Sequence, residues 1–273
     1  MRKTIIMSGG LGNQMFQYAF YLSMKAKGID CKIDDTLFYT QKMHNGFELN
    51  RVFPISERLN KPSGLKKLWI RILRRYRPSL FLHTDRRYQF SPEAYDAKQP
   101  YLMGDWLSPY YFKDIEDVVR EYFYFKCISE KNIETAKIMQ SCNSVSIHIR
   151  RGDYLNIPNY CVCDEGYYRH AIKHICENVD KPVFYVFSNE PDWCESFMQQ
   201  FGVVFKIINW NQRGDSYQDM YLMTQCKHNI IANSTFSWWG AWLNSQSDKI
   251  VVTPRAWFKN NNYNINCPGW HII

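Results

Sequence analysis

The run Ser146-Ile147-His148-Ile149-Arg150-Arg151-Gly152-Asp153-Tyr154 holds the residue types in this chain best suited to chemistry. Val145, Ile147 and Ile149 alternate up to the doublet Arg150-Arg151, and Gly152 breaks the pattern before the acid Asp153. This reads as a strand that delivers two guanidinium groups to a loop at its carboxyl end, where open α/β sheets bind ligands. Arginine is a planar, permanently charged fork that grips phosphate through paired hydrogen bonds, so the doublet points to a pyrophosphate partner. The alternative is a surface arginine pair held in a salt bridge.

Two further constellations sit at strand-to-helix turns. Gly9-Gly10-Leu11-Gly12-Asn13-Gln14 is rich in glycine, which lets a backbone approach a ligand closely, and exposed amides at a helix start favour anions. It lacks the third glycine of the dinucleotide fingerprint, since Met15 stands there, so a plain tight turn remains open. Asn233-Ser234-Thr235 are good helix N-cap residues that follow an apolar strand. They would put donors and the positive end of a helix dipole at the edge where Arg150 and Arg151 emerge. Trp238, Trp239 and Trp242 then read as core.

The elements that must position these residues alternate. A strand at Thr4–Met7 leads through the glycine turn to a helix at Asn13–Lys27 and a strand at Cys31–Asp34. The stretch from Asp35 to Pro109 is irregular, aromatic and basic, with a strand at Tyr101–Gly104, and helical periodicity returns at Asp114–Phe123 and Glu130–Gln140. From Ser144 onward, strands at Ser144–Arg150, Val183–Ser188, Val203–Asn209, His228–Ala232 and Lys249–Thr253 alternate with helices at Glu165–Asn178, Pro191–Gln200, Ser216–Cys226 and Thr235–Asn244. That alternation builds a parallel sheet with crossover helices. The expected architecture is α/β: two Rossmann-like lobes, residues 1–141 and 142–255, facing across a cleft, with the tail 256–273 returning toward the first.

With 273 residues and 45% hydrophobic content the chain is globular. The apolar run after Met1 stops at Ser8-Gly9-Gly10, too short for a signal-peptide core, and no run approaches a membrane span. Nine cysteines without an export signal read as reduced thiols, and the expected location is cytoplasmic. Cys161-Val162-Cys163 and the i, i+4 pair His170 and His174 lack the ligand count of a structural zinc site, so no metal is expected. The net charge of +8 is uneven. No acid lies between Glu57 and Asp85, whereas Arg58, Lys61, Lys66, Lys67, Arg71, Arg74, Arg75 and Arg77 do. With Leu65, Leu68, Trp69, Ile72, Leu73 and Tyr76 at helical spacing, residues 65–76 read as a basic amphipathic helix. Its alternatives are a solvated surface helix or peripheral contact with the anionic inner membrane face.

In order and spacing, three blocks together resemble the α-1,2-fucosyltransferases of glycosyltransferase family 11, bacterial type, from end to end. They are Gly9 to Ala19, His148 to Tyr154 and Asn233 to Leu243; only about Asp35 to Pro100 carries little of the resemblance. It implies a GT-B fold, a GDP-β-L-fucose donor, a β-galactoside acceptor attacked through its 2-hydroxyl, inversion at the anomeric carbon, and no metal or other cofactor. By similarity to the wider superfamily, Arg150 is the β-phosphate ligand and Arg151 supports it. His148 and Asp219 contact the guanine edge, and a carboxylate suits guanine because it accepts two hydrogen bonds at once. Asn233, Ser234, Thr235 and Phe236 line the phosphate and ribose. Gly10, Gly12 and Asn13 belong to the opposite lobe, with Asn13 facing the fucose or pyrophosphate.

An inverting displacement needs a base for the acceptor hydroxyl proton. Asp153 is the nearest carboxylate to the doublet, as base or as the partner that orients the arginines; Asp164 and Glu165 stand further off. Two other functions compete. One is a fucosyltransferase of different linkage or acceptor. The other is a basic polyanion-binding module, against which the clustering of charge on one helix argues, so no nucleic acid is expected.

Overall fold

The computed structural model describes residues 1–39, 45–55, 68, 72–73, 75–83, 89–152, 159–160, 162–259 and 265–273. The chain divides into two compact units, Met1–Lys126 and Cys127–Ile273.

In the first unit, strands β1 (Lys3–Ile6), β2 (Cys31–Asp34), β3 (Phe81–His83) and β4 (Tyr101–Met103) form a parallel sheet in the order β2-β1-β4-β3. The β-branched run Thr4-Ile5-Ile6 is buried throughout, and Ile5 stands opposite Ile33 on one side and Leu102 on the other. Helix α1 (Leu11–Ala26) follows β1 and is buried almost all round because its aromatic residues occupy several faces. Phe16 meets Phe112, Tyr18 meets Tyr122, and Phe20 stacks on Trp106 with ring centroids 4.2 Å apart. Gly28, at φ +74°, ends the helix in the left-handed conformation that glycine adopts without strain. A one-turn helix, α2 (Leu49–Val52), and α3 (Glu116–Tyr122) complete the unit. The expected helix at Asp114–Phe123 thus begins as a 3-10 turn, Lys113–Ile115.

Most of the expected basic helix at 65–76 lies outside the described residues. Of those described, Leu68, Ile72, Leu73, Arg75 and Tyr76 are helical. Leu73 is buried against Ile6, Leu37 and Phe81, while Leu68, Ile72 and Tyr76 are exposed.

The second unit holds strands β5 (Ser144–Ile149), β6 (Val183–Ser188), β7 (Val204–Ile208), β8 (His228–Ile230), β9 (Val251–Thr253) and β10 (His271–Ile272), all parallel, in the order β10-β9-β8-β5-β6-β7. The chain therefore grows outward from β5 through β6 to β7, then crosses back to lay β8 on the other side of β5. Period-2 alternation sorts each strand between two helical layers. Phe184 and Val186 of β6 pack with α5 (Glu165–Asn178) and α6 (Pro191–Met198). Tyr185 and Phe187 pack with α4 (Glu130–Gln140) and α7 (Tyr217–Gln225). Helix α8 (Thr235–Leu243) lies so close to α7 that a Cβ on Gly240 would sit 2.8 Å from Cβ of Met223. A larger residue at 240 would drive the two helices apart. Trp238, Trp239 and Trp242 are buried, as core.

Two boundaries differ from the sequence reading. The division falls between Lys126 and Cys127 instead of after residue 141, because α4 turns Ala136 and Met139 onto Tyr185 and Phe187 of the second sheet. The described part of the tail, 256–259 and 265–273, belongs to the second unit. Trp257 and Ile265 are buried in the second, the Trp238 indole donates to the Ile265 carbonyl at 2.8 Å, and β10 extends the sheet beside β9. β3 and β10, three and two residues long, had no readable period.

Candidate active site

The carboxyl ends of β5 and β8 are the switch point of the second sheet, where successive crossovers leave in opposite directions and a crevice opens. The alternation of β5 puts Val145, Ile147 and Ile149 on the α5/α6 side. His148 falls on the other, with its ring 6.0 Å from that of Phe236 in the first turn of α8. Asp219 lies in the first turn of α7. Since Met223 meets Gly240 and both helices start at the carboxyl edge of the sheet, Asp219 and Phe236 stand one turn nearer that edge on adjacent helices. His148, Asp219 and Phe236 thus share one layer.

Burial lowers the His148 imidazole to about 3, with the Arg150 cation adding to the effect, so the ring is neutral at physiological pH. Its Nδ1 is buried without a hydrogen-bond partner among the described residues. Asp219 goes the other way: burial pushes it up to about 7, against the pull of the Asn211 amide, which donates to Oδ1 at 2.8 Å.

The two arginines are held differently. As β5 ends, Tyr168 of α5 bridges the backbone, its hydroxyl donating to the His148 carbonyl at 3.1 Å and accepting from the Arg150 N–H at 3.4 Å. Arg150 is half-buried at this edge. Arg151 turns toward α6, where Nε meets Oε2 of Glu190 at 3.2 Å and the guanidinium lies 3.7 Å over the Trp193 ring. The salt-bridge alternative thus holds for Arg151, whose guanidinium is spent within the unit. Glu190 also accepts from the Gly152 N–H at 2.9 Å, and Asn189 accepts from the Arg151 N–H at 3.3 Å. Gly152 has φ +29°, and a Cβ there would lie 2.0 Å from Nδ2 of Asn189, so this clamp needs glycine. Asp153 lies outside the described residues. Asp164 caps α5 by accepting from the Tyr167 N–H at 2.9 Å, and Glu165 meets Arg169 at 3.6 Å; both are engaged with their own helix.

At the end of β8, Ser234 is the N-cap of α8 and makes no side-chain cap bond. Asn233 is buried, with Nδ2 donating to the carbonyls of Tyr160 at 2.9 Å and Trp257 at 3.0 Å. It braces the turn, and Thr235 and Phe236 are half-buried beside it.

In the first unit, Gly9 has φ +79° and Gly10 is the extended N-cap of α1, again without a side-chain cap bond. Gly12 is buried in the first turn, and Asn13 packs so closely that a Cβ on Gly9 would meet its Nδ2 at 2.8 Å. Gln14 and Gln17, both fully buried, brace this turn. Gln14 Nε2 donates to the Gly9 and Gly46 carbonyls at 3.0 and 2.9 Å while its Oε1 accepts from the Glu48 N–H at 2.9 Å. Gln17 accepts from the Ser8 N–H at 2.9 Å and donates to the Gly104 carbonyl, tying the ends of β1 and β4 together.

Sequence reading took in Gln14 and Gln17 as members of the first block without a role, and missed Tyr168, Asn189, Glu190 and Asn211. Only the polar run Ser188-Asn189-Glu190 at a strand's carboxyl end carried a signal. Of the metal candidates, His174 stacks on His271 at 3.6 Å, and Cys161 lies outside the described residues. No helix among the described residues is long and apolar enough to cross a membrane.

The sequence model of glycosyl transferase family 11 matches residues 2–273. The O-antigen biosynthesis glycosyltransferase WbnK of Escherichia coli is 35% identical, over 94% of this chain and 95% of its own. The alpha-1,2-colitosyltransferase of Escherichia coli is 31% identical over 94% and 93%. Galactoside alpha-(1,2)-fucosyltransferase 2 of Rattus norvegicus is 28% identical, over 88% of this chain and 66% of that one. Among solved structures, the fucosyltransferase NodZ from Bradyrhizobium superposes with a TM-score of 0.51 at 12% identity, covering 88% of this chain and 91% of that one. The fold, with its two parallel α/β units, is of the GT-B class.

Proposed function

This chain belongs to glycosyl transferase family 11 and is a glycosyltransferase, and we propose that it moves L-fucose from GDP-β-L-fucose to the 2-hydroxyl of a terminal β-galactoside. The reaction inverts the anomeric carbon and needs no metal ion. The observation that carries this reading is that the carboxyl end of β5, which leads into Arg150, and the N-terminus of α8 after β8 lie at the same β5/β8 switch point. As the acceptor oxygen attacks the anomeric carbon, the bond to the β-phosphate breaks and charge builds on the departing GDP. Arg150 and the amides of the first turn of α8 take that charge, as a bidentate cation and a helix N-terminus do for phosphate. Arg151 holds the loop through Glu190 and Trp193, and Asp219 reads the guanine edge beside neutral His148. The acceptor proton passes to a base, for which Asp153 stands in sequence beside the arginines.

A second donor has a specific support: the relative at 31% identity is an alpha-1,2-colitosyltransferase. One experiment decides. The protein is incubated in excess EDTA with GDP-fucose or GDP-colitose and a panel of β-galactosides, and product linkage is read by NMR. An α-1,2-fucosyl product formed under chelation supports the proposal. Transfer from GDP-colitose alone reassigns the donor, another linkage overturns the acceptor, and activity restored only by Mg²⁺ or Mn²⁺ overturns the metal-free mechanism. The reading places the enzyme in the cytoplasm, where a glycan precursor meets the donor.

A further inference from the structure

We propose that Asn211, itself anchored by Asn132, is a positioning residue that holds one oxygen of Asp219 and so presents the other to the purine of the donor. This rests on the reading above that Asp219 meets the guanine edge. Asn211 follows β7, Asn132 lies in the first turn of α4 and Asp219 in the first turn of α7, so three elements converge. Asp219 Oδ1 accepts from Asn211 Nδ2 at 2.8 Å, while Oδ2 has no hydrogen-bond partner among the described residues.

The orientation of Asn211 is determined by its neighbour. Asn132 Nδ2 donates to Asn211 Oδ1 at 2.8 Å and Asn211 Nδ2 donates back to Asn132 Oδ1 at 3.2 Å, which leaves its second N–H for the carboxylate. Asn132 is fully buried and fixed on every side. Its Nδ2 also reaches Gln218 Oε1 at 2.8 Å and Ser129 Oγ at 3.0 Å, and its Oδ1 accepts from the Trp210 indole at 2.9 Å. A buried amide cluster is expensive unless every member is paired, and a merely structural joint could be apolar. This cluster ends on a carboxylate with one oxygen to spare.

The direction of its effect follows from charge. An amide donating to the ionised carboxylate favours that form, whereas burial disfavours it. Guanine offers two N–H groups on one edge, which only the acceptor-only, ionised form serves fully. Helices α7 and α8 carry no other charged residue. Lys131 and Lys206 face the Trp210 ring, at 4.0 and 5.8 Å, and Arg213 and Asp215 precede α7. None of these contributes to the shift of Asp219, which burial and Asn211 account for.

The test is calorimetric titration of GDP across pH, with thermal melts confirming the fold, for the wild-type chain and for Asp219→Asn, Asn211→Leu and Asn211→Gln. In the wild type, affinity should rise with pH through about 7, where Asp219 ionises. Asn211→Leu should weaken GDP about tenfold near neutrality, the size of one lost charge-assisted hydrogen bond. It should also move the midpoint to higher pH, and Asn211→Gln, which keeps the donor, should restore both. Weakening of equal size at every pH in Asn211→Leu would show a merely structural residue and overturn the inference alone. Unchanged GDP affinity in Asp219→Asn would overturn the guanine contact itself and the inference with it.

Discussion

Two strand-to-helix turns, one from Met7 into α1 and one from Ile231 into α8, bring helix starts to the carboxyl edges of two parallel sheets. Neither helix closes its own start with a capping side chain. In the first unit the bracing comes from neutral amides of the helix itself, Gln14 and Gln17, and reaches backbone groups and the Ser8 hydroxyl. In the second, Asn233 braces the turn, and the neighbouring strand ends add charge: Arg150, and Arg151 with Glu190. Both turns bring a helix N-terminus to a sheet edge, but among the described residues the second unit adds beside it the guanidinium groups that can bind a pyrophosphate. Turn geometry makes an anion site available; residues on adjacent strands decide whether it is charged.

The largest test of that contrast is Arg150→Lys. It keeps the charge but loses the bidentate fork, so transfer should fall by about two orders of magnitude or more while the melting temperature holds. Near-normal turnover in steady-state assays would remove Arg150 from the pyrophosphate site and erase the difference between the two turns.

Next in size is Gln14→Leu in the first turn. It strands buried backbone partners at Gly9, Gly46 and Glu48, each costly when unpaired, for a loss of ~3 kcal/mol in urea unfolding. If the first turn binds no pyrophosphate, GDP affinity should be unchanged; a drop in calorimetry would break the comparison.

A smaller effect separates stability from binding at Asp219. Its folded value, about 7, lies above the ordinary 3.8, so its contribution to stability is full below 3.8 and is lost as pH rises to about 7. Melting curves should therefore show the wild type losing ground to Asp219→Asn with rising pH, levelling off above about 7, while the variant binds GDP more weakly once the wild-type carboxyl has ionised. Parallel pH curves would mean that the carboxyl is not buried as described.

The smallest effect concerns the one strongly basic stretch of the first unit. If residues 65–76 bind an anionic membrane, each basic residue contributes about 1 kcal/mol, screened by salt. Replacing Lys67, Arg71, Arg74 and Arg75 with glutamine should then release the protein from anionic vesicles in a flotation assay at low salt. Wild-type protein that ignores such vesicles would leave the charge of the first unit without a membrane role.

Much of the second unit was legible in advance. Glu130–Gln140, Glu165–Asn178 and Val183–Ser188 stand within the bounds that their periods indicated, because burial on one stripe or one face writes period into sequence. Period does not say which sheet a helix covers, and α4 was therefore assigned to the wrong side of the boundary. The identity of the arginine doublet was readable, but its division of labour was not. Arg151 finds Glu190 thirty-nine positions away, a partner that only the parallel pairing of β5 with β6 brings near.

By itself, then, the sequence determined the alternation of strands and helices, the strand-end placement of His148, Arg150 and Ser234, and, through three spaced blocks, the family. These are local properties, set by side-chain period, turn chemistry and residue type. Tertiary structure decided that the tail extends the second sheet, that Asn233 braces the turn while the Ser234 side chain makes no cap bond, and that Asn132 and Asn211 tether Asp219. Asn132 and Asn211 lie 79 positions apart, and hydrogen bonds over such spans exist only once packing fixes both ends within reach of each other.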